Sequence, residues 1–191
     1  MINESAVKCH TLTENLLNWS LLQSGTKKAF PEKIIMNKTI DDVFDLLKNQ
    51  SALKKIELVN SVSPECEIYA DSRMTVSILL NLITNGIKFT PNNGKIEVSA
   101  TRSDSYWHVS VSDTGIGMEQ DEINNLFRID KKIYNLGTED EPGSGYGLLL
   151  TKEFVENNNG TIIVASEKNK GTVFTFSFPV YKSIASEQIK D

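Results

Sequence analysis

The stretch D-S-R-M-T-V-S-I-L-L-N-L-I-T-N-G-I-K-F-T, residues 71–90, decides the fold. At about 100° per residue, Val76, Ile78, Leu79, Leu80, Leu82, Ile83 and Ile87 share one broad arc of a helical wheel. Ser77, Asn81, Thr84, Asn85 and Lys88 share the narrow remainder. The apolar arc requires a core to pack on. The polar arc is unusual for a free surface because amides and hydroxyls replace the usual Lys and Glu. Asn81, Asn85 and Lys88 stand at i, i+4 and i+7, so their side chains can converge on one ligand. An amide oxygen is a neutral ligand for Mg²⁺, and a lysine is a point charge for phosphate. Taken alone, the stretch reads equally well as an ordinary helix with a polar stripe.

Upstream, residues 4–24 have helical spacing, with Leu12, Leu16, Trp19 and Leu22 on one stripe and Gly25 as a stop. Such a segment is too short to be stable alone, so its stripe needs a partner helix or its own domain. After Pro31 the pattern changes. Residues 32–37 read as a strand, and Thr39 or Asp41 caps a helix running to about Ala52. Residues 56–59 and 67–70 read as two more strands. Downstream, Pro91-Asn92-Asn93-Gly94 is a turn. Residues 95–102 and 106–112 then alternate as a hairpin, with Ile96, Val98, Ala100, Trp107, Val109 and Val111 on the apolar side. His108 falls on the polar side, as a solvated strand histidine. The last strands are residues 161–166 and 172–180, where Phe174, Phe176 and Phe178 alternate onto one face. Runs of strands and helices without regular βαβ repeats predict an α/β two-layer sandwich. Its mixed sheet has about five strands, covered on one face by three helices near 40–52, 71–89 and 146–157.

Two glycine-rich segments interrupt these elements. The second hairpin strand ends at Asp113-Thr114-Gly115-Ile116-Gly117-Met118, where a carboxylate meets a tight turn. Glycine permits positive φ and close approach of backbone to a ligand. The carboxylate can accept a hydrogen bond from an exocyclic amine, although an ordinary turn explains the pattern equally well. Residues 119–142 are polar, with a short helix near 121–127; a long loop in a compact domain is usually functional or disordered. Gly143-Ser144-Gly145-Tyr146-Gly147 then opens into a helix beginning at Leu148, a pattern that offers backbone N–H groups and a dipole to an anion. The P-loop Lys-Ser/Thr is absent, and no strand directly precedes the loop as a Rossmann site requires.

The chain has 191 residues, 39% of them apolar, and a formal net charge of −5. That length suits one domain with an appendage. The charge disfavours nucleic acid or an anionic membrane as main partner. Cys9 and Cys66 are far apart without metal-ligand spacing, which fits a reducing cytoplasm. The N-terminus lacks the apolar run of a signal peptide, and no run approaches the ~20 residues that span a bilayer. A soluble, cytoplasmic chain is expected, whether or not a longer parent is membrane-bound.

The order of these motifs is more specific than any of them alone. It resembles the ATP-binding catalytic domain of sensor histidine kinases, in the GHKL superfamily shared with gyrase and the mismatch-repair ATPases. The matching segments are N-L-I-T-N-G-I-K-F (81–89), D-T-G-I-G-M (113–118), Leu126-Phe127, G-S-G-Y-G-L (143–148) and K-G-T-V-F (170–174). The resemblance covers roughly residues 30–180 and implies a Bergerat-type fold with ATP and Mg²⁺ as cofactors. It further implies that Asn85 chelates the metal, Asn81 contacts phosphate or water, and Lys88 pairs with a phosphate. Asp113 would accept the adenine amino group, Gly115 and Gly117 would shape the base pocket, and Thr172 would line it. Phe127 stands in the phenylalanine box. Gly143, Gly145, Tyr146, Gly147 and Leu148 would start the following helix against the triphosphate. Residues 119–142 would be the ATP lid.

ATPases of the superfamily carry a glutamate general base at the position of Asn81. An amide cannot take a proton from water, so ATP would be held for a histidine nucleophile. Gly86, Tyr146 and the Asn157–Gly160 turn depart from the family pattern without removing a ligand. Residues 12–25 resemble the second helix of the dimerisation and phosphotransfer hairpin. The hairpin helix carrying the acceptor histidine has no counterpart, since His10 is followed by Thr11 and lies on the wrong helix. The resemblance thus implies the catalytic half of a protein-histidine kinase in a two-component system. Residues 1–28 would be a hairpin remnant, 30–180 the catalytic domain and 181–191 a flexible tail. Expected partners are the parent's own hairpin and a response regulator, with a monomeric fragment and a homodimeric parent. The alternative is a nucleotide-binding regulatory module that transfers nothing.

Overall fold

The structure, a computed structural model, describes residues 28–128, 137–139 and 146–182. Eleven elements follow in order: β1 (Glu32–Ile35), α1 (Met36–Leu53), β2 (Glu57–Asn60), β3 (Glu67–Ala70), α2 (Ser72–Phe89), β4 (Lys95–Arg102), β5 (Tyr106–Asp113), α3 (Gln120–Asn125), α4 (Gly147–Asn157), β6 (Ile162–Glu167) and β7 (Gly171–Pro179). The main sheet has five strands in the order β2-β4-β5-β7-β6. Only the β2–β4 pair is parallel, so the sheet is mixed as expected. β1 and β3 form a separate antiparallel ribbon, which meets the end of β7 through a bridge between Ile68 and Val180.

The period-two alternation of the strands produces the core face. Ile96 and Val98 of β4, Trp107, Val109 and Val111 of β5, and Phe174, Phe176 and Phe178 of β7 are all buried. Onto them α2 lays Ile78, Leu79, Leu82, Ile83 and Ile87, α1 lays Ile40, Val43 and Leu47, and α4 lays Leu150, Phe154 and Val155. Burying one such side chain contributes about 1.5–3 kcal/mol, so this contiguous cluster is the main stabilising feature. At Gly86 the helix backbone comes close to the sheet. A Cβ there would meet Ile96 Cδ1 at 3.0 Å and Asp113 Cβ at 3.7 Å. The glycine that weakens α2 as an isolated helix therefore brings it down beside the end of β5.

The start of α1 and the end of β1 differ from the sequence expectation. α1 begins at Met36 and not at a Thr39 or Asp41 cap. Met36 N donates to Cys66 O at 2.9 Å, so the β1–β3 ribbon supplies the start that a side-chain cap would otherwise provide. Thr39 Oγ1 bonds back to Ile35 O within the first turn, and Asp41 Oδ1 accepts from Asn60 Nδ2 at 2.7 Å. The earlier start also shortens the first strand. Residues 1–27 and 183–191, including His10, Cys9, the hairpin-like segment and the tail, lie outside the described residues.

α1 ends in a Schellman turn. Ile56 N donates to Ser51 O at 2.9 Å and Lys55 N to Ala52 O at 3.1 Å, with Lys55 at φ 52°. That left-handed position normally carries glycine. Replacing the exposed Lys55 by glycine relieves the Cβ strain, so Lys55→Gly should stabilise the chain by about 1 kcal/mol. A thermal midpoint equal to or below that of the unsubstituted chain contradicts this.

Candidate functional site

The polar arc of α2 faces the N-terminal end of α4. Asn81 Nδ2 donates to Thr151 Oγ1 at 2.8 Å, and its Oδ1 lies where a Cβ on Gly147 would be. Only a residue without a side chain lets α4 start this close to Asn81. The first N–H groups of a helix have no intrahelical acceptor, so this start presents donors beside Asn81. One turn along α2, Asn85 is half-buried. In contrast to Asn81, its amide has no side-chain hydrogen bond among the described residues. Lys88, a further turn on, holds its Nζ 4.5 Å from the centroid of the Phe89 ring.

The ends of α2 are fixed from elsewhere. At the N-terminus Asp71 Oδ1 accepts from Met74 N and Oδ2 from Phe30 N, both at 3.0 Å. Asp71 N donates to the buried Asn158 Oδ1 at 2.6 Å. Asn158 closes α4 through its bond to Phe154 O at 2.8 Å, so the departure from the family turn ties α4 to the start of α2. Burial pushes the Asp71 carboxyl up, but N–H donors from Phe30, Met74 and Arg73, with the Arg73 charge, outweigh it and hold the group below its ordinary value. At the C-terminus the buried Lys54 sends its Nζ to Ile87 O at 2.8 Å and Lys88 O at 3.1 Å.

The Asp113 turn lies where α2, β5 and β7 meet. Asp113 Oδ1 accepts from Gly115 N at 2.8 Å and Thr172 N at 3.2 Å. Its Oδ2 has no hydrogen-bond partner among the described residues. Burial raises the carboxyl above its ordinary value, and the two backbone donors offset only part of the rise. Ile116 N donates to Phe89 O at 3.1 Å, which fastens the turn to the end of α2. Gly117 has φ 60° and a Cβ on it would collide with Glu167 O; Gly171 has φ 98° and a Cβ would collide with Asp113 O. Ser166 Oγ accepts from Met118 N at 2.9 Å and lies 2.9 Å from Thr172 Oγ1, so one hydroxyl joins two segments flanking Asp113.

Asn81, Asn85, Lys88, Asp113, Gly115, Gly117, Gly147 and Thr172 thus border one region between α2, α4 and the ends of β5 and β7. Phe127 and Leu126 pack partly buried on the core, and Lys152 of α4 holds its Nζ 5.9 Å from the Phe127 ring. Phe127 therefore sits beside α4. Tyr146 is the residue preceding α4, and Leu148 lies in its first turn. Gly143 and Gly145 lie outside the described residues. Sequence reasoning missed Lys54, Thr151, Asn158 and Ser166. Each acts through a partner far away in the chain, and none carries a local pattern.

A sequence profile described as "Histidine kinase-, DNA gyrase B-, and HSP90-like ATPase" matches residues 70–182, more than half of the chain. The chain belongs to this family. It is 32% identical over 184 residues to the autoinducer 2 sensor kinase/phosphatase LuxQ of Vibrio vulnificus, covering 91% of this chain and 21% of that protein. The chain therefore spans only about a fifth of that relative. Among solved structures, full-length ShkA in complex with AMPPNP is 26% identical with a TM-score of 0.79, over 94% of this chain and 38% of that one. Histidine kinase ThkA in complex with the response regulator protein TrrA has the same fold, at 19% identity and a TM-score of 0.72, over 94% of this chain and 49% of that one.

Asp71 gives a test of how α2 is held. Loss of an N-cap carboxylate costs about 1 kcal/mol, so Asp71→Ala should destabilise the chain by at least that much at neutral pH. Its carboxyl has a lower value folded than unfolded, so its contribution is complete above the ordinary value of 3.8 and is lost as pH falls through the folded value. The stability gap between Asp71→Ala and the unsubstituted chain should therefore narrow below that pH in urea titrations. A gap independent of pH refutes the assignment.

Proposed function

We propose that this chain is the ATP-binding catalytic region of a sensor histidine kinase, donating the γ-phosphoryl group of ATP to a histidine on a phosphotransfer hairpin and releasing ADP. The observation that carries the reading is Asp113. One carboxylate oxygen is fixed by two backbone N–H groups, and the other is left as an acceptor beside Thr172, Gly115 and Gly117. That arrangement suits an exocyclic amine such as that of adenine. Family membership and the likeness to ShkA, solved in complex with AMPPNP, support it.

The triphosphate would extend from Asp113 along the polar arc of α2 toward the start of α4, where Lys88 and the free N–H groups of the helix meet negative charge. Asn85 would hold Mg²⁺. No cluster of three or more His, Cys, Asp or Glu exists among the described residues, and a single neutral amide fits an ion that keeps waters and takes phosphate oxygens as ligands. The metal would supply charge neutralisation at the phosphates. Asn81, bonded to Thr151, positions α4 and has no basicity with which to activate water. Residues 1–28 would be part of the hairpin, 30–180 the catalytic domain and 181–191 a tail. The partners would be that hairpin and a response regulator, and the setting the cytoplasm. No helix among the described residues is long and apolar enough to cross a membrane.

Asp113→Asn tests the base pocket. The amide can turn its oxygen to Gly115 and Thr172, which places its NH₂ against the adenine amine. ATP affinity by calorimetry should fall by about 1–3 kcal/mol; equal affinity would remove adenine recognition from Asp113. Burial raises the folded value of this carboxyl, so its ionisation costs stability as pH rises from 3.8 through that value. Asp113→Asn should therefore be no less stable than the unsubstituted chain at neutral pH. Asn85→Ala should abolish the enhancement of ATP binding by Mg²⁺. With labelled ATP, this chain alone should acquire no acid-labile phosphate and should label the parent's hairpin in trans. Label on His10 or His108 refutes the missing acceptor, and bound ATP without transfer favours the regulatory module.

A further inference from the structure

We propose that Lys54 and Thr138 form an anchor at the last turn of α2, making Lys54 a positioning residue for the nucleotide site. The Lys54 residue is only 3% exposed. A buried ammonium is costly unless each of its donors finds an acceptor. Here its three N–H groups meet three oxygens: Ile87 O at 2.8 Å, Lys88 O at 3.1 Å and Thr138 Oγ1 at 2.6 Å. The first two are carbonyls at the negative end of α2, where a cation is favoured by both hydrogen bonding and the helix dipole. The third belongs to a residue 84 positions away in sequence.

Thr138 completes the anchor from its own side. Its N–H donates to Lys88 O at 3.0 Å, and its hydroxyl faces Lys88 O and Thr90 O, each at 3.2 Å. Lys88 O thus receives Thr138 N–H, the Thr138 hydroxyl and the Lys54 ammonium. The backbone of Lys54 is fixed in turn, since Asn93 N donates to its carbonyl at 3.0 Å and Lys55 beyond it is locked in the left-handed turn. The anchor joins the end of α1, the end of α2, the following turn and a point part-way between α3 and α4.

The consequence rests on the nucleotide reading above, because Lys88 and Asn85 lie in the same two turns of α2. Holding the Lys88 backbone fixes where its side chain starts, and holding the Ile87 and Lys88 carbonyls fixes the turn of α2 that carries Asn85 and Lys88.

Lys54→Met keeps most of the side-chain volume and removes the three donors. Thr138→Val removes the hydroxyl at an exposed residue, and Thr138→Ser keeps it. In the full chain without nucleotide, amide exchange at Thr138 should be about fivefold faster or more in Lys54→Met and in Thr138→Val, and unchanged in Thr138→Ser. Affinity for Mg-ATP should fall by a similar factor in the first two and recover in Thr138→Ser. If Lys54→Met does not fold, the Thr138 pair decides. Unchanged exchange in Thr138→Val overturns the anchor. Faster exchange with unchanged ATP affinity overturns its positioning role. Asp113→Asn should bind ATP more weakly while keeping Thr138 protected. If the unsubstituted chain does not bind ATP, the nucleotide reading fails and the exchange measurement still decides the anchor.

Discussion

Helix α2 carries a charge of opposite sign at each end, one on its own N-cap residue and the other supplied by the end of α1. Asp71 caps the positive end and receives the N–H of Phe30. Lys54, from the end of α1, sits at the negative end. Each charge satisfies backbone groups that a helix cannot satisfy for itself and lies where the helix dipole favours it. Because the N-cap Asp71 is tied to Phe30 and Asn158 and the C-terminal cation comes from α1, α2 cannot shift along its axis without breaking contacts to the β1 approach, to α4 through Asn158 and to α1 through Lys54. The axial position of Asn81, Asn85 and Lys88 is set by these polar contacts. Their rotational position is set by the apolar arc, which must face Ile96, Val98 and the β5 side chains.

The sheet fixes the second wall of the site by a different kind of constraint. β5 ends at Asp113 because the register with β7 places Thr172 opposite it, and that register puts the Thr172 N–H on the Asp113 carboxylate. Gly171 and Gly117 are required there because the backbones of β5, β6 and the turn come so close that no Cβ fits. The cost appears on the carboxylate, which is partly stripped of water and pushed above its ordinary value. A protein selected for stability alone would put a neutral residue at this position. Retaining a charge that folding disfavours is consistent with a group kept for binding.

Much of this was legible in the sequence because it depends on periodicity or on glycine. The wheel of α2, the alternation of β4, β5 and β7, and the Asp-Gly-Gly turn are local patterns, and each led to the right element within one or two residues. The start of α1 was misplaced because a cap was sought in its own side chains, whereas the donor at Met36 is satisfied by Cys66 thirty residues later. Lys54 drew no reading from the sequence, where it stands beside Lys55 just past the expected helix. Nothing local distinguishes it from Lys55, yet the first is buried and the second exposed. Asn158 read as one amide of three in a turn. Its contact with Asp71 spans 87 positions, beyond any pattern a window can detect.

The two amides of α2 show how the same residue type can take different parts four positions apart. Asn81 is spent on structure: its NH₂ is bonded to Thr151, and its oxygen abuts Gly147, so it sets how close α4 stands to α2. Asn85 has no such contact among the described residues, although it lies on the same arc. The difference comes from α4, whose first turns lie against Asn81. A carboxylate at residue 81 would place a negative charge beside the start of α4, where the proposed triphosphate would lie, and would supply a base for water. With an amide there, Asn81 contributes geometry without proton transfer. The proposed chemistry must then draw its nucleophile from another segment, which is what a histidine acceptor on a separate hairpin provides.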